Sequence, residues 1–495
     1  MIETGLTGME EYFISSFSKN EIKEWELMTM NWNELLSNKS FIANEQENSV
    51  VCRNNYDKII CSTLFRRLQD KAQVFPLDDD DYVRTRLTHS LEVSAIGKKL
   101  GEYVFELLEY TFKDDWIGAH TEKEFADILL CAGLVHDIGN PPFGHFGEYA
   151  IREWFQTNLN QLYLGKNKVT DILSDWQLQD LYNFEGNAES LRLLSRTPHL
   201  GNVNGFNLSY SILGAIMKYP ISAKKLKGKN PNGYKKIGYY YSEKELFDDM
   251  NRSMGLNEKR HPLSWLLEAS DDIAYRTSDL EDAMVKKVVG LQQIIDSFNQ
   301  YFSKLDETDE HKENVKNCIQ QLLDLYQEEV AKKGRKPELT AVQRWNQNVQ
   351  YSMIKDAGNM FVKQYKKIMQ GTFKGDLFEN TASGHIIQAI SELSEKYIYT
   401  SSIKTRTELF GRRVVKSLLD QFMPAGIVYD TEEEITFIDC RIMDTVSDFY
   451  KTMYHHEANG KSDQEKLYLR ILMITDYISG MTDNYAKKLY QELFV

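Results

Sequence analysis

An adjacent histidine and aspartate, His136 and Asp137, are the residues of this sequence best placed to do chemistry. They follow a segment, Phe125–Val135, whose large apolar residues recur at helical spacing, so the His136 imidazole is expected to extend the buried stripe of a helix. Asp137 then lies too close to the core to stay a free charge, because a buried carboxylate without a partner is costly or takes up a proton. Neutral imidazole and carboxylate are both good ligands for a divalent ion. The pair therefore predicts a metal site.

A second pair with chemical potential follows within a few residues. Gly139 and the Pro141–Pro142 pair are expected to end the first helix and to restart the chain on a new one. On that new element His145 and Glu148 stand three residues apart, so they can share a face. Taken alone, His145 is more simply explained as a helix-start histidine bonded to Glu148. Beside the predicted metal site, an acid/base pair becomes the better interpretation.

Two further ligands are predicted on two other helices. His89 is in register with the apolar residues that follow it, so it points toward a core. A lone buried histidine is usually structural, but a second inward-pointing helix that contains His136 and Asp137 favours a ligand. Pro262 opens the third helix, at a favoured first-turn position. Its stripe of residues four apart begins apolar and becomes acidic: Leu263, Leu267, Asp271, Tyr275 and Asp279. Because Asp271 follows Leu267 on the inward face, it is the fourth candidate ligand.

The elements that must position these groups are helices. The chain has 495 residues, of which 42% are hydrophobic and 27% charged, as in ordinary globular proteins. Nine prolines are few for this length and favour long helices over a many-turned β protein. From about residue 290 to 400 the chain is polar and helical in pattern, without repeats. We therefore predict an all-α fold.

The charge balance and the cysteines limit the partners and the compartment. A net charge of −14 argues against general affinity for nucleic acid or anionic membranes, so a polyanionic substrate would need a locally basic pocket. No secretory signal or bilayer-length apolar run is visible, so we expect no membrane association. Five scattered cysteines without a CxxC motif are typical of reduced thiols in a cytoplasm.

A lysine-rich segment, Lys224–Lys236, offers a different hypothesis. It contains six lysines among Gly, Asn and Pro, and Tyr239–Tyr241 follow it. Basic residues beside aromatic residues could bind single-stranded nucleic acid through phosphate contacts and stacking. The negative charge of the whole chain favours a solvated loop instead. The acidic run Asp78–Asp81 is likewise expected to be a solvated loop.

The order of the four candidate ligands, H…HD…D, resembles the HD superfamily of metal-dependent phosphohydrolases. The dipeptide alone is a weak signal, but longer segments are similar to the bacterial deoxyguanosine triphosphate triphosphohydrolases. These segments are Phe65–Leu77, Arg84–Val93, His136–Glu148, Phe184–Glu189, Met217–Pro220, Glu268–Ala283 and Asp476–Asp483. The resemblance runs from about residue 50 to the end, and little of it falls in residues 290–470. It implies an HD catalytic core at 61–290, with an N-terminal helical arm at 1–60 and a C-terminal helical region at 291–495 packed on the core.

The resemblance also implies roles for individual residues. The metal ligands would be His89, His136, Asp137 and Asp271, holding Mg, Mn or Fe, and His145 with Glu148 would be the acid/base pair near the α-phosphate. The substrate-binding residues would be Gln73 and Asp279 at the sugar 3′-hydroxyl, Tyr275 on the deoxyribose, Arg86, Lys218 and Tyr219 at the phosphates, and Asn187 in the same pocket. No role follows from composition for Asp476–Asp483.

The implied activity is hydrolysis of dGTP, and of other dNTPs, to the deoxynucleoside and inorganic triphosphate. Assembly into a homo-oligomer such as a hexamer is a further expectation from the resemblance. Two alternatives stay open at this point. One is another HD phosphohydrolase, a nucleotidase or phosphodiesterase, and the other is a nucleotide-sensing regulator that binds single-stranded DNA through Lys224–Lys236.

Overall fold

The computed structural model describes residues 30–41, 51–78, 80–112, 120–198, 205–228, 230 and 233–495, with the backbone alone at 51–54. Most of the predicted N-terminal arm, residues 1–60, therefore lies outside the described residues. Residues 229 and 231–232 of the lysine-rich segment also lie outside the described residues.

α-Helices make up most of this part of the chain. The helices before residue 260 are α1 (Trp32–Leu35), α2 (Val51–Ile60), α3 (Thr63–Arg67), α4 (Arg86–Phe112), α5 (Glu122–Val135), α6 (Gly144–Asn158), α7 (Val169–Ile172), α8 (Asp175–Tyr182), α9 (Gly186–Arg196), α10 (Tyr210–Ile216), α11 (Ala223–Lys227) and α12 (Lys244–Ser253). Those after it are α13 (Pro262–Val285), α14 (Leu291–Lys304), α15 (Lys312–Ala331), α16 (Pro337–Lys363), α17 (Tyr365–Met369), α18 (Ala382–Leu393), α19 (Ser402–Val428), α20 (Phe437–Thr445), α21 (Asp448–Ala458), α22 (Asp463–Ser479) and α23 (Asp483–Phe494). Short 3₁₀ helices lie at Leu68–Asp70, Leu159–Gln161 and Tyr241–Glu243, and a π-helical turn at Ser394–Ile398.

The strands that the structure describes are one antiparallel pair, β1 (Tyr163–Leu164) and β2 (Asn167–Lys168). The predicted all-α fold is confirmed.

Helix ends follow local sequence signals. Thr121 and Glu124 form a reciprocal capping box at the start of α5, which satisfies backbone donors that the helix leaves free. Pro262 occupies the first turn of α13, and the His261 side chain before it accepts a backbone hydrogen bond, so the predicted start is confirmed. At its other end α5 stops directly before His136, and a turn follows. The candidate metal-binding pair thus lies at a helix end, where its side chains can leave the core.

The α4–α5 crossing depends on a close approach of two backbones. A Cβ at Gly133 would lie 2.6 Å from the Cα of Ser94, so only glycine fits there. The Ser94 hydroxyl donates to the Leu130 carbonyl at 2.8 Å across the same crossing. This contact sets the position of His89 on α4 relative to His136 at the end of α5.

The buried apolar side chains form two clusters. The first joins α4, α5 and α13 with α14–α16 and α18, and the second joins α6 with α19, α22 and α23. Ile138 belongs to the first cluster and Phe143 to the second, so the turn after His136 passes from one to the other. Residues after 290 pack in both clusters, and the domain division at residue 290 stays a prediction.

The side chains include four free cysteines, Cys61, Cys131, Cys318 and Cys440, in the part of the chain that is described. Across those same residues, no helix combines the length and the apolar character that crossing a bilayer requires.

Candidate active site

One cavity of about 520 Å³ lies where α4, the end of α5 and α13 face each other. Every predicted metal, acid/base and substrate residue lines it: Gln73, Arg86, His89, His136, Asp137, His145, Glu148, Asn187, Lys218, Tyr219, Asp271, Tyr275 and Asp279. Residues far apart in the sequence therefore meet in one place, while their chemical roles remain predictions.

Three of the four candidate ligands form a compact group. Potential ligand atoms of His89, His136 and Asp271 all lie within 4.8 Å of one another. The His89 Nε2 atom is 3.1 Å from Asp271 Oδ1, and His136 Nε2 is 3.7 Å from the same oxygen. Among the described residues no other group of His, Cys, Asp and Glu meets this geometry.

The fourth candidate, Asp137, is close but already has other partners. Its Oδ1 is 3.5 Å from His136 Nε2 and its Oδ2 is 3.9 Å from His89 Nε2. Its two oxygens also accept hydrogen bonds from Arg86 and Asn140, each at 2.5 Å. Burial would raise the pKa of Asp137, but the charges of Arg86 and the two histidines outweigh burial and hold the pKa below its ordinary value. The carboxylate is therefore ionised, as a metal ligand must be.

The donor set fits a divalent ion. The His136 Nδ1 atom lies 2.8 Å from the Gly133 carbonyl, so it donates there and leaves the Nε2 lone pair directed at the carboxylates. That Nε2 is buried and has no hydrogen-bond partner in the protein. Two imidazoles with one or two carboxylates suit Mn or Fe, and Mg more weakly because it prefers oxygen ligands.

The candidate acid/base pair is asymmetric. Glu148 is buried, whereas the His145 side chain is 82% exposed, and its Nδ1 lies 4.0 Å from Glu148 Oε2. Arg152 donates to the other Glu148 oxygen at 2.9 Å. Burial alone would raise the pKa of Glu148. The neighbouring His145, Lys236 and Arg152 lower that pKa by more than burial raises it, so it lies below its ordinary value. Glu148 is thus a fixed negative charge beside a histidine that is free to meet a ligand.

A lysine that the sequence placed in a loop belongs to this cavity. Lys236 Nζ lies 3.0 Å from Glu185 Oε1 and 4.0 Å from Glu148 Oε1. Glu185 also accepts a hydrogen bond from Asn187 at 2.7 Å. Lys218 forms an ion pair with Glu268 in the same cavity. The cavity therefore contains cations that a polyanion could engage, although the whole chain is acidic.

The other end of the cavity contains the residues predicted to meet the sugar. Tyr399 donates to Asp279 Oδ2 at 3.0 Å, while the buried Asp279 Oδ1 has no partner. Burial raises the pKa of Asp279 to about 7. Tyr275 donates to Asp272 at 2.7 Å, which fixes the orientation of its ring. Gln73 lines the same space with its buried Oε1 unpaired. These unpaired oxygens are sites for a ligand's hydrogen-bond donors.

The cavity is also lined by residues that the sequence did not indicate, among them Asn140, Glu185, Lys236, Tyr399, Lys404 and Glu408. One signal was available for Lys236, because the apolar Ile237 follows it directly and breaks the solvated-loop pattern. For Tyr399, Lys404 and Glu408 no motif pointed to the cavity. Tyr399 directly follows the π-helical turn and the other two lie on α19, in a stretch without distinctive residues.

The structure also bears on the two segments expected to be solvated loops, the lysine-rich segment and the acidic run Asp78–Asp81. Tyr239 and Tyr240 are buried, so these rings do not offer faces for base stacking, and Lys225 is paired with Glu258. Single-stranded DNA binding by this segment stays a prediction. In the acidic run, Asp78 is not solvated but pairs with Lys286 at 2.9 Å, so the expected solvated loop is wrong at that residue.

Comparisons with known proteins agree with this site. The HD domain family matches residues 86–193, a range that contains His89, the His136–Asp137 pair, His145 and Glu148. A deoxyguanosinetriphosphate triphosphohydrolase-like protein of Listeria monocytogenes is 40% identical over 94% of this chain and 99% of its own length. A protein of that name from Synechocystis sp. is 31% identical over 94% and 99%, and the deoxyguanosinetriphosphate triphosphohydrolase of Yersinia enterocolitica is 31% identical over 91% and 94%.

A histidine–aspartate pair at a helix end, with candidate ligands on two further helices and a matching HD domain, indicates an HD-type phosphohydrolase. The near full-length identity is more specific. The chain belongs to the deoxyguanosinetriphosphate triphosphohydrolase-like family, and the resemblance found in the sequence is confirmed.

Proposed function

We propose that this protein is a dNTP triphosphohydrolase that prefers dGTP and releases the deoxynucleoside and inorganic triphosphate. The observation that carries the proposal is the joint presence, in one cavity, of the His89–His136–Asp271 group, a histidine beside a buried carboxylate, and cations suited to phosphates. The names of the relatives support the substrate class.

The chain's own residues would divide the work as follows. His145 lines the cavity and is held near an ionised Glu148, so it can exchange a proton with the attacking water or with the departing 5′-oxygen. Proton transfer of this kind typically contributes about 10²–10⁴-fold in rate. Arg86, Lys218 and Lys236 would offset the negative charge that the triphosphate brings and that grows as it leaves.

His89, His136, Asp137 and Asp271 would hold the divalent ion. When bound, Mg, Mn or Fe would supply a Lewis acid that polarises an α-phosphate oxygen and activates water. Asn140 and Arg86 fix the Asp137 carboxylate, and the Gly133 carbonyl fixes the His136 ring, so the chain orients its ligands in advance.

The sugar end supports a deoxynucleotide. Asp279 Oδ1 and Gln73 Oε1 are buried acceptors without partners, as a 3′-hydroxyl donor requires. The Tyr275 ring, fixed by Asp272, would occupy the space of a 2′-hydroxyl. Glu408 lines the same cavity and accepts a hydrogen bond from Lys404 with one carboxylate oxygen; the carboxylate could also accept from the adjacent N–H donors of guanine, which would favour dGTP among the dNTPs.

The test is to incubate the purified protein with each dNTP and NTP plus Mg²⁺ or Mn²⁺ and to identify the products. Inorganic triphosphate with a deoxynucleoside supports the proposal, whereas orthophosphate or pyrophosphate would indicate another HD phosphohydrolase. His145→Ala should retain bound metal but lose triphosphate release, because the residue is outside the ligand group. His456→Ala, at an exposed position on α21, is the matched control and should behave as wild type. Retained turnover in His145→Ala would remove the acid/base assignment.

A further inference from the structure

The turn between the last two helices, residues 479–483, touches two separate pieces of the cavity wall. Asp483, the first residue of α23, is buried to 2% exposure although it is an aspartate. Its Oδ2 accepts from the Ala72 backbone N–H at 3.1 Å and its Oδ1 accepts from the Phe143 N–H at 2.9 Å. One carboxylate thus joins two segments that are about seventy residues apart in the sequence.

Each of these two segments is adjacent to candidate substrate-binding or acid/base residues. Ala72 directly precedes Gln73, and it also forms an isolated bridge with Thr85, next to Arg86. Phe143 directly precedes α6, which contains His145 and Glu148. A shift of either backbone would therefore move a side chain that lines the cavity.

The backbone conformation of Phe143 is unfavourable by itself and depends on contacts with other segments. Its φ of 64° lies in the left-handed region, which is unfavourable for a residue with a large side chain and persists only where the surroundings impose it. Asp483 supplies the acceptor for its N–H. The same turn also binds Lys71, whose Nζ donates to the Ser479 carbonyl at 2.9 Å and to the Asn140 carbonyl at 2.5 Å. Residues 479–483 are therefore linked to the turn after His136 at two places, through Lys71 at Asn140 and through Asp483 at Phe143.

We propose that Asp483 is a positioning residue for the active site. Each of its carboxylate oxygens accepts one backbone hydrogen bond, and together these bonds fix the Gln73 segment and the start of α6 relative to each other. The inference rests on the proposed function, because it concerns the placement of the residues named there. It assigns a role to the Asp476–Asp483 segment that composition left without one.

Asp483→Asn tests this with almost no change of shape. The amide offers one acceptor oxygen and one NH₂ group, so only one backbone N–H can be satisfied and the other meets a donor. Asn484→Ala is the control, since Asn484 is the exposed neighbour of Asp483 and its side chain donates to Asp70.

The first measurement is the ratio of kcat/KM for dGTP to that for 2′,3′-dideoxy-GTP. This ratio does not depend on how much of the enzyme is folded, so a merely structural defect leaves it unchanged. We expect Asp483→Asn to lower the ratio at least tenfold, because Gln73 is displaced from the 3′-hydroxyl. We also expect kcat for dGTP to fall on the order of 10²-fold, because His145 is displaced. A ratio and a kcat equal to wild type would overturn the inference.

The second measurement uses the wild-type protein and does not need the variant to fold. The Ala72 and Phe143 amides should exchange hydrogen slowly, as buried and bonded amides do, although they lie outside helices. Exchange at the rate of open loops would overturn the inference. If wild-type protein releases no triphosphate, the proposed function fails. Exchange at these two amides, slow in the wild type and faster in Asp483→Asn but not in Asn484→Ala, still decides whether Asp483 holds the two segments.

Discussion

Replacing Lys236 by methionine should move the acidic limb of the pH–rate profile to higher pH. The Lys236 ammonium lies 4.0 Å from a Glu148 oxygen and 3.0 Å from Glu185. At 4.0 Å, Coulomb's law gives about 1 kcal/mol with the dielectric constant of water and about 4 kcal/mol at an effective value of 20. Because the Lys236 side chain is 34% exposed, solvent screening favours the lower part of this range, about 1–2 kcal/mol.

The sign follows from the lowered pKa of Glu148, to which Lys236 contributes. Removing the positive charge raises that pKa, so Glu148 takes up its proton at a higher pH. At about 1.4 kcal/mol per pH unit, the acidic limb of kcat/KM should shift upward by roughly one unit. The turnover at the optimum should also fall, because the leaving triphosphate loses a cation.

The assay is kcat/KM for dGTP from about pH 3 to 9, a range that includes a Glu148 pKa below its ordinary value, measured as released inorganic triphosphate. Lys225→Met is the matched control, since Lys225 lies in the same segment but pairs with Glu258 at the surface. An acidic limb at the wild-type pH in Lys236→Met would refute the electrostatic link to Glu148. An equal shift in Lys225→Met would assign the effect to net charge instead.

Two other substitutions test the sugar end and the interior. Tyr275→Ala should raise kcat/KM for GTP relative to dGTP by roughly 10–100-fold, because it opens the space of the 2′-hydroxyl; steady-state kinetics with both nucleotides measure this, and an unchanged ratio would contradict it. Arg192→Met should lower the free energy of unfolding by about 3–5 kcal/mol at pH 8, since Arg192 is buried and bonds Asp476 at 2.8 Å. Burial raises the pKa of Asp476 to about 6 even beside Arg192, so protonation removes the unpaired charge and the loss should shrink toward pH 6. Urea unfolding at both pH values checks this, and a deficit that grows at pH 6 would be contrary to it.

Local signals predicted the parts of the site that lie on long helices. Helical spacing identified the inward positions of His89 and Asp271, and Pro262 marked the start of α13. These predictions succeed because periodicity and capping are properties of a few consecutive residues. The turn after His136 was also predictable, since Gly139 is unfavourable in a helix and Pro141–Pro142 interrupt one.

Contacts between distant segments were not predictable in the same way. Nothing near Asp483 indicates that its carboxylate bonds Ala72 and Phe143, because both partners are backbone amides without a sequence signature. The lysines around Lys236 predict a solvated loop. Its partial burial depends instead on a partner, Glu185, about fifty residues earlier in the sequence. The exposure of the His145 ring is a further outcome of packing, since spacing alone puts it on one face with Glu148.

The pairing of the cavity's cations would explain how an acidic chain could bind a triphosphate selectively, as we propose. Arg86 pairs with Asp137, Lys218 with Glu268, and Lys236 with Glu185. Each cation is thus oriented in advance. In the proposed complex Lys218 and Lys236 would exchange a carboxylate for a phosphate while Arg86 keeps its bond to Asp137, so the gain per exchanged contact would be a difference between two ion pairs and not a full Coulomb energy. A ligand with fewer phosphates would replace fewer of these carboxylates and leave the rest of the cations with their protein partners. Discrimination by phosphate number then follows from the number of exchanges, without any general attraction of the protein for anions.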